Sequence, residues 1–296
     1  MLLASDRMII ARMRRHYRGR IAFDSPRRGI LPISKKLAKS DLTMVSLFVD
    51  SSKLDRELFN VLHLVTFHVM ADMRISYDQT ALREDSLIAK EPIAQFQNWF
   101  DVARQNREIL EPNAVCLATA AQNGWPSCRM VLLKAFGKDG FTFFTNYDSR
   151  KGRELAENPF AALTFFWAPL HRQVRIEGAV RKVSDVESIR YFNSRPRDSQ
   201  IAAVASAQSS RINGKAELER EFSLLSEKYS VESAIIPKPE NWGGYLVVPE
   251  KIEFWQGQKN RMHDRIRFRK PTPSDVIDNK FIHAGDDGWI FERLSP

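Results

Sequence analysis

From Asn113 to Val183 the chain is a succession of short alternating stretches divided by tight-turn signals, and this pattern restricts the possible folds more than any other feature. Asn113–Ala121 and Trp125–Lys134 alternate on either side of Asn123-Gly124, a dipeptide suited to a two-residue hairpin because both positions tolerate positive φ. A further strand, Arg129–Phe136, leads through a turn ending in Asp139-Gly140 to the strand Phe141–Thr145, and a helix start follows at Asp148-Ser149. The short helix Ser149–Glu157 is stopped by Asn158-Pro159. Phe160–Trp167 and His171–Val183 are then two more strands joined through Ala168-Pro169. In the second, Gln173, Arg175 and Glu177 share one face, while Val174 and Ile176 share the other. Strands in hairpin succession, with helices as inserts, argue for an antiparallel barrel with helical cover and against a doubly wound sheet.

The flanking segments agree with that reading. From Lys90 an amphipathic helix carries Ile93, Phe96, Trp99, Phe100 and Ala103 on one face, with Pro92 in its first turn. Ser184-Asp185-Val186-Glu187 forms a capping box that opens a helix through Asn193. Asp198-Ser199 is placed to cap the next helix, QIAAVAS, and Ala216–Tyr229 is amphipathic. After the rigid linker IPKPE, the strands GGYLVV, KIEFWQG and RIRFR lead to the terminal GWIFERL.

Charge enters the argument through its location. The formal net charge is +9, yet residues 1–70 hold 13 Lys/Arg against 6 Asp/Glu and leave 32 against 30 in the rest. The body is nearly neutral, which speaks against a nucleic-acid partner. Residues 1–40 carry eleven Lys/Arg and only Asp6 and Asp24 as acids. That composition is presequence-like; it equally suits a poorly ordered basic extension, or upstream sequence ahead of a start at Met70 or Met73. The division expected is an N-terminal extension, residues 1–70, and a folded domain, residues 71–296. Cys116 and Cys128 lie in apolar strands with no metal-ligand spacing, so reduced core cysteines and a cytoplasmic location are expected, with mitochondria the alternative if residues 1–70 act as a presequence. No apolar run reaches the roughly 18 residues of a membrane span. There is no GxGxxG, Walker, HExxH or GxSxG motif, so any nucleotide lies outside a Rossmann crevice and no metal is expected.

Two places could hold an anion. Arg129, Lys134, Arg150 and Lys151 punctuate the central hairpin where a helix begins, and free N–H groups there add to side-chain charge; charged strand ends facing water are the plainer reading. Tyr191 and Arg195, four apart, with Ser199 at the next helix start, could grip a phosphate; otherwise Tyr191 packs and Arg195 is solvated.

The stretches RMVLLKAFGKDGFTFFTNYDSRKG, HRQVRIEG, YFNSRPRDSQI, QSS and EFWQGQKNRMHDRI, in this order, resemble the pyridoxamine 5′-phosphate oxidase family from about Met73 to ERLSP. The resemblance implies an FMN-binding split β-barrel, an α+β fold that is mainly β. It also implies a homodimer with flavin in the subunit interface, and oxidation of pyridoxamine or pyridoxine 5′-phosphate to pyridoxal 5′-phosphate by dioxygen. It assigns FMN to Arg129, Met130, Val131, Leu132, Phe144, Thr145, Arg150, Lys151, Gln173, Gln208, Ser209, Trp255 and Arg265. Substrate falls to Lys134, Tyr191, Arg195, Ser199, Arg261 and His263. His263 is expected as the proton acceptor, because arginine stays protonated, and Arg261 as an orienting charge. Arg261, His263 and Arg265 alternate, so an extended segment would present all three to one side. Position 171 is His where some relatives have Asn. The rival readings are another flavin split-barrel protein, such as a flavin reductase, and an RNA-binding module suggested by KDGFTFF.

Overall fold

Glu91 turns its carboxylate onto the N–H groups of Ile93 and Ala94, at 2.9 and 2.7 Å, and so starts helix α1, Pro92–Gln105. Proline at the first position loses nothing there, because that N–H has no intrahelical acceptor. The buried stripe Ile93, Phe96, Trp99 and Ala103 drives the helix onto the sheet. Phe96 is fully buried and meets Phe136 and Phe141 edge-on at 4.9 and 5.0 Å. Burying a side chain of this kind contributes about 1.5–3 kcal/mol. In this computed structural model residues 76–77, 80–231 and 233–296 are described. The expected extension, residues 1–70, and the start of the folded domain at residue 71 lie outside them.

Among the described residues, ten antiparallel strands form one sheet. β1 (Ala114–Ala120) and β2 (Pro126–Leu132) pair from Ala114↔Leu132 to Ala120↔Pro126. Their turn contains Gly124 at φ +79°. β3 (Ala135–Gly137) pairs with β4 (Gly140–Asn146), and α2 (Arg150–Glu157) follows. β5 (Phe160–Trp167) and β6 (Arg172–Lys182) precede three helices, α3 (Asp185–Ser194), α4 (Arg197–Ala205) and α5 (Lys215–Lys228). β7 (Trp242–Gln256), β8 (Asp264–Arg269), β9 (His283–Ala284) and β10 (Ile290–Arg293) complete it. The order is β2-β1-β5-β6-β7-β8-β10-β9, with β4 also on β7.

The long strand β7 divides the sheet. Trp242–Val247 pairs with β4 and Lys251–Gln256 with β8, while β6 runs beside both halves. Sequence reading expected two strands here, GGYLVV and KIEFWQG. The structure keeps one, since the register shift between Glu177 and Gly178 places Pro249 at an irregularity where no donor is required. A Cβ on Gly178 would lie 1.9 Å from the Val248 carbonyl oxygen, so the close approach requires glycine there.

Alternation then sorts side chains onto two faces. Val115, Leu117, Leu163, Phe165, Val174, Ile176, Phe254, Ile266 and Phe268 are buried inward. Met130, Leu132 and Phe166 face outward and are 63%, 37% and 56% exposed. Cys116 is half-buried and Cys128 exposed, which corrects their placement in the core: their inward-facing neighbours Val115 and Leu117 fill it instead.

Three boundaries also differ from expectation. The strand anticipated at Arg129–Phe136 breaks at Leu133-Lys134, where Leu133 N–H turns to Asn113 and Lys134 N–H to Thr142. Helix α4 begins at Arg197 with Pro196 as its cap, so Ser199 lies inside the first turn and is not a cap. Arg261 belongs to a 3-10 turn, Lys259–Arg261, with φ +61°. It therefore does not alternate with His263 and Arg265 along one strand.

Candidate active site

The expected site residues collect into three groups. The first lies at the end of β4, where the strand passes into α2. Ser149 caps that helix by accepting from Gly152 N–H, and the buried ammonium of Lys151 points back beneath it. Lys151 Nζ donates to Thr145 Oγ1 at 3.1 Å, Ser149 Oγ at 3.3 Å and Gln208 Oε1 at 2.8 Å, all neutral oxygens. Thr145 also donates to Gln208 Oε1 at 3.1 Å, which ties β4 to the segment after α4. Ser209 beside it holds φ +70°. Burial, and secondarily the Arg129 guanidinium, push the Lys151 ammonium down to about 8, while Glu154 acts in the opposite sense. A desolvated ammonium with no bonded carboxylate, beside a helix N-terminus, is suited to an oxyanion.

Arg129 and Arg150 flank this corner on a shared partner. Arg150 Nε donates to Glu154 Oε1 at 2.8 Å, and Arg129 Nη2 to Glu154 Oε2 at 3.3 Å. Thr119 and Ser127 hydroxyls also donate to Glu154 Oε2, at 2.5 and 2.6 Å. Burial pushes this carboxyl up, but the hydrogen bonds from Ser127, Thr119, Arg150 and Arg129 outweigh it and hold it at about 2.

The second group forms on the other face of β4, as strand alternation requires of Phe144 next to Thr145. Phe144 stacks on Tyr191 at 4.0 Å between ring centroids, and Tyr191 and Trp242 lie parallel within 9°. The Arg195 guanidinium sits 4.9 Å above the Trp242 ring, and Lys134 Nζ is 5.9 Å from that of Tyr191. Arg195 Nη1 is buried with no hydrogen-bond partner. Burial pushes its pKa down, against the influence of Tyr191. Arg195 itself is half-buried, and a buried guanidinium N–H left without an acceptor is costly unless an anion arrives. Ser199 is half-buried in the first turn of α4, two residues past the Arg197 that begins that helix.

The third group lies at the opposite end of β7. Gln173, Trp255 and Arg265 are register partners on the outward sheet face. Arg265 is held by Glu253 through bonds of 2.8 and 3.0 Å and by the Ser295 carbonyl at 2.8 Å. The His263 ring packs 4.8 Å from Trp255, and its Nδ1 accepts Gln258 N–H at 3.1 Å. A neutral ring bonded this way carries its proton on Nε2 and offers a donor. The acceptor role expected from sequence would need the lone pair on Nε2 instead. Arg261 is exposed.

Sequence reading missed Tyr77, whose ring lies 4.4 Å from His171, 5.8 Å from Trp255 and 5.7 Å from His263. No periodic element surrounds it to mark it. Glu154 was missed because an acid within a short helix looks solvated. His171 adopts φ 50°, ψ 39°, a left-handed conformation of the kind that asparagine tolerates better than most residues.

The groups do not meet around one ligand within this chain. Thr145 pairs with Gly243 and Arg265 with Trp255, twelve residues along β7. That is about 40 Å of strand, farther than an extended flavin mononucleotide reaches. Met130, Leu132, Gln173 and Trp255 all face outward, where the large exposed apolar side chains lie.

Comparison with known proteins shows what the chain is similar to. The model of the family described as pyridoxamine 5′-phosphate oxidase matches residues 103–229, and that of the pyridoxine 5′-phosphate oxidase C-terminal dimerisation region matches residues 242–296. The pyridoxine/pyridoxamine 5′-phosphate oxidase of Bombyx mori is 52% identical over 227 residues, 76% of this chain and 88% of that protein. The pyridoxine-5′-phosphate oxidase of Bos taurus is 50% identical over 230 residues, 77% of this chain and 87% of that one. Among solved structures, PhzG of Burkholderia lata 383, in complex with tetrahydrophenazine-1-carboxylic acid, superposes with a TM-score of 0.61 at 26% identity, over 74% of this chain and all of PhzG.

Proposed function

The chain belongs to the pyridoxamine 5′-phosphate oxidase family, and on that premise we propose that it oxidises pyridoxamine and pyridoxine 5′-phosphates to pyridoxal 5′-phosphate, the last step in making the vitamin B6 cofactor. It is an FMN-dependent oxidase with a split-barrel fold. Dioxygen is the terminal acceptor and leaves as hydrogen peroxide; from the amine, an imine forms and water releases the aldehyde and ammonia.

The observation that carries this reading is the presence of two distinct oxyanion corners back to back across β4. One is built on the buried Lys151 ammonium and the other on the unpaired Arg195 guanidinium. The reaction needs two phosphate monoesters held at once, one on the flavin and one on the substrate. Lys151, with Arg129 and Arg150, fits the flavin phosphate; Thr145, Gln208 and Ser209 complete that corner. Met130, Val131, Leu132, Phe144, Gln173, Trp255 and Arg265 serve the rest of the flavin. Lys134, Tyr191, Arg195 and Ser199 hold the substrate phosphate.

When bound, FMN supplies the electron acceptor for oxidation at the substrate C4′ carbon. The protein contributes binding and orientation. Trp255 and Tyr77 both pack against the His263 ring, and its Nε2–H is available to a substrate oxygen or nitrogen. Arg261 adds a fixed charge beside it.

The separation along β7 bears on assembly. The Lys151 corner of one chain and the Trp255–His263 group of a second complete one site, so the enzyme works as a homodimer joined through the outward sheet face. The C-terminal dimerisation region matched at residues 242–296 supports this arrangement. The cytoplasm is the proposed location; a fluorescent fusion of residues 1–70 tests the mitochondrial alternative. The purified protein should be yellow, or become so on reconstitution with FMN, and a colourless protein that takes up no FMN overturns the proposal.

A further inference from the structure

Three cations stand around the Lys151 corner, and one buried carboxylate organises two of them. Glu154 is 6% exposed and reaches from α2 to the inward side of β1 and β2. Its Oε1 holds Arg150, and its Oε2 gathers Arg129 with the Thr119 and Ser127 hydroxyls. Those same hydroxyls accept from the Arg129 guanidinium, so Arg129, Glu154, Thr119 and Ser127 form a closed network. Lys151 stays outside it, bonded to Thr145, Ser149 and Gln208.

We propose that Glu154 is the positioning residue of the flavin-phosphate corner: its carboxylate fixes Arg129 and Arg150 in place before the cofactor binds and leaves Lys151 to meet the phosphate. The inference rests on the reading of this corner as the flavin-phosphate site. Three cations and one carboxylate leave a local charge of +2, the complement of a phosphate monoester near −2. Arg150 shows why positioning matters. Its side chain is 60% exposed and its Nε bond to Glu154 is what draws it back along α2. Without that bond the side chain would swing in water, and its rotamer freedom would be lost again on binding phosphate. A rival effect has the opposite sign, because the carboxylate also repels phosphate. Charge-assisted bonds already spend that carboxylate on the two guanidiniums, so preorganisation outweighs repulsion.

Flavin titration of the apoprotein, followed by fluorescence quenching, separates the possibilities. Glu154→Gln should weaken FMN at least 10-fold and leave riboflavin, which lacks the phosphate, within 2-fold of wild type. Arg150→Gln should weaken FMN in the wild-type background and add little on top of Glu154→Gln, because the two act as one unit. Should Glu154→Gln fail to fold, Ser127→Ala removes a hydroxyl bonded to both Glu154 and Arg129 without changing charge, and it should show the same contrast in smaller measure. Equal weakening of FMN and riboflavin would make Glu154 a merely structural residue. Unchanged or tighter FMN binding would make it a counter-charge only, and either result overturns the inference. A wild type that binds FMN no better than riboflavin overturns instead the assignment of this corner to the flavin phosphate, and the inference with it.

Discussion

Gln258 donates its backbone N–H to Nδ1 of His263 at 3.1 Å, which leaves Nε2 as the protonated nitrogen of the neutral ring. The neutral His263 ring thus offers a hydrogen-bond donor at Nε2. It packs against Trp255 and Tyr77, and a lone pair on Nε2 would need the proton on Nδ1, where it would oppose the Gln258 N–H.

Donor and acceptor roles separate on substitution. His263→Ala should slow anaerobic reduction of the bound flavin by roughly 10²-fold, the lower part of the range for a positioned proton-transfer group. His263→Asn, whose amide can still donate, should recover a substantial part of that loss. An asparagine variant as slow as the alanine one would restore His263 to the role of proton acceptor.

Arg195 gives a cleaner contrast between the two anion corners. Arg195→Ala should raise the KM for phosphorylated substrate, since losing one partner of a desolvated charge pair costs about 2–5 kcal/mol. The FMN content should stay at the wild-type level. Loss of FMN in place of substrate affinity would reverse the assignment of the two corners.

Lys151 predicts a pH dependence of definite sign. Its folded-state value is depressed to about 8 from 10.5, so between those values the unfolded chain binds more protons than the folded apoprotein. Apoprotein stability from this group therefore rises with pH through that window. FMN affinity should fall over the same range, because the phosphate binds the ammonium. Thermal midpoints and FMN titrations from pH 7 to about 10.5 check both slopes, and Lys151→Met should abolish both.

Much of this was legible in the sequence, for physical reasons that differ by element. The α1 helix, the Asn123-Gly124 hairpin and the Ser184 helix cap are local signals, and each formed where expected, although only the Ser184 half of the anticipated capping box is made. The continuity of β7 through Pro249 was not legible, because it depends on a register shift against β6, a non-local pairing. Lys151 and Arg195 were expected as anion-binding residues, yet what suits them to anions, a buried ammonium and a buried guanidinium nitrogen without a bonded carboxylate, exists only in the packed structure. Cys116 and Cys128 show the converse: apolar neighbours in sequence suggest a core, and strand alternation turns both outward.

The division of the site along β7 is testable by complementation. Lys151→Met and His263→Ala chains, each nearly inactive alone, should regain activity when co-expressed and purified through two different tags. In such a mixed dimer one of the two sites keeps both wild-type groups. No gain over the parent variants would place both groups in one chain's site.

The most direct measurement is anaerobic mixing of the FMN-loaded protein with one equivalent of pyridoxamine 5′-phosphate. The account predicts that the visible absorbance of the oxidised flavin bleaches, that pyridoxal 5′-phosphate appears in stoichiometric amount, and that admitting dioxygen restores the colour with release of hydrogen peroxide. A flavin that stays oxidised in the presence of both pyridoxamine and pyridoxine 5′-phosphates would contradict it.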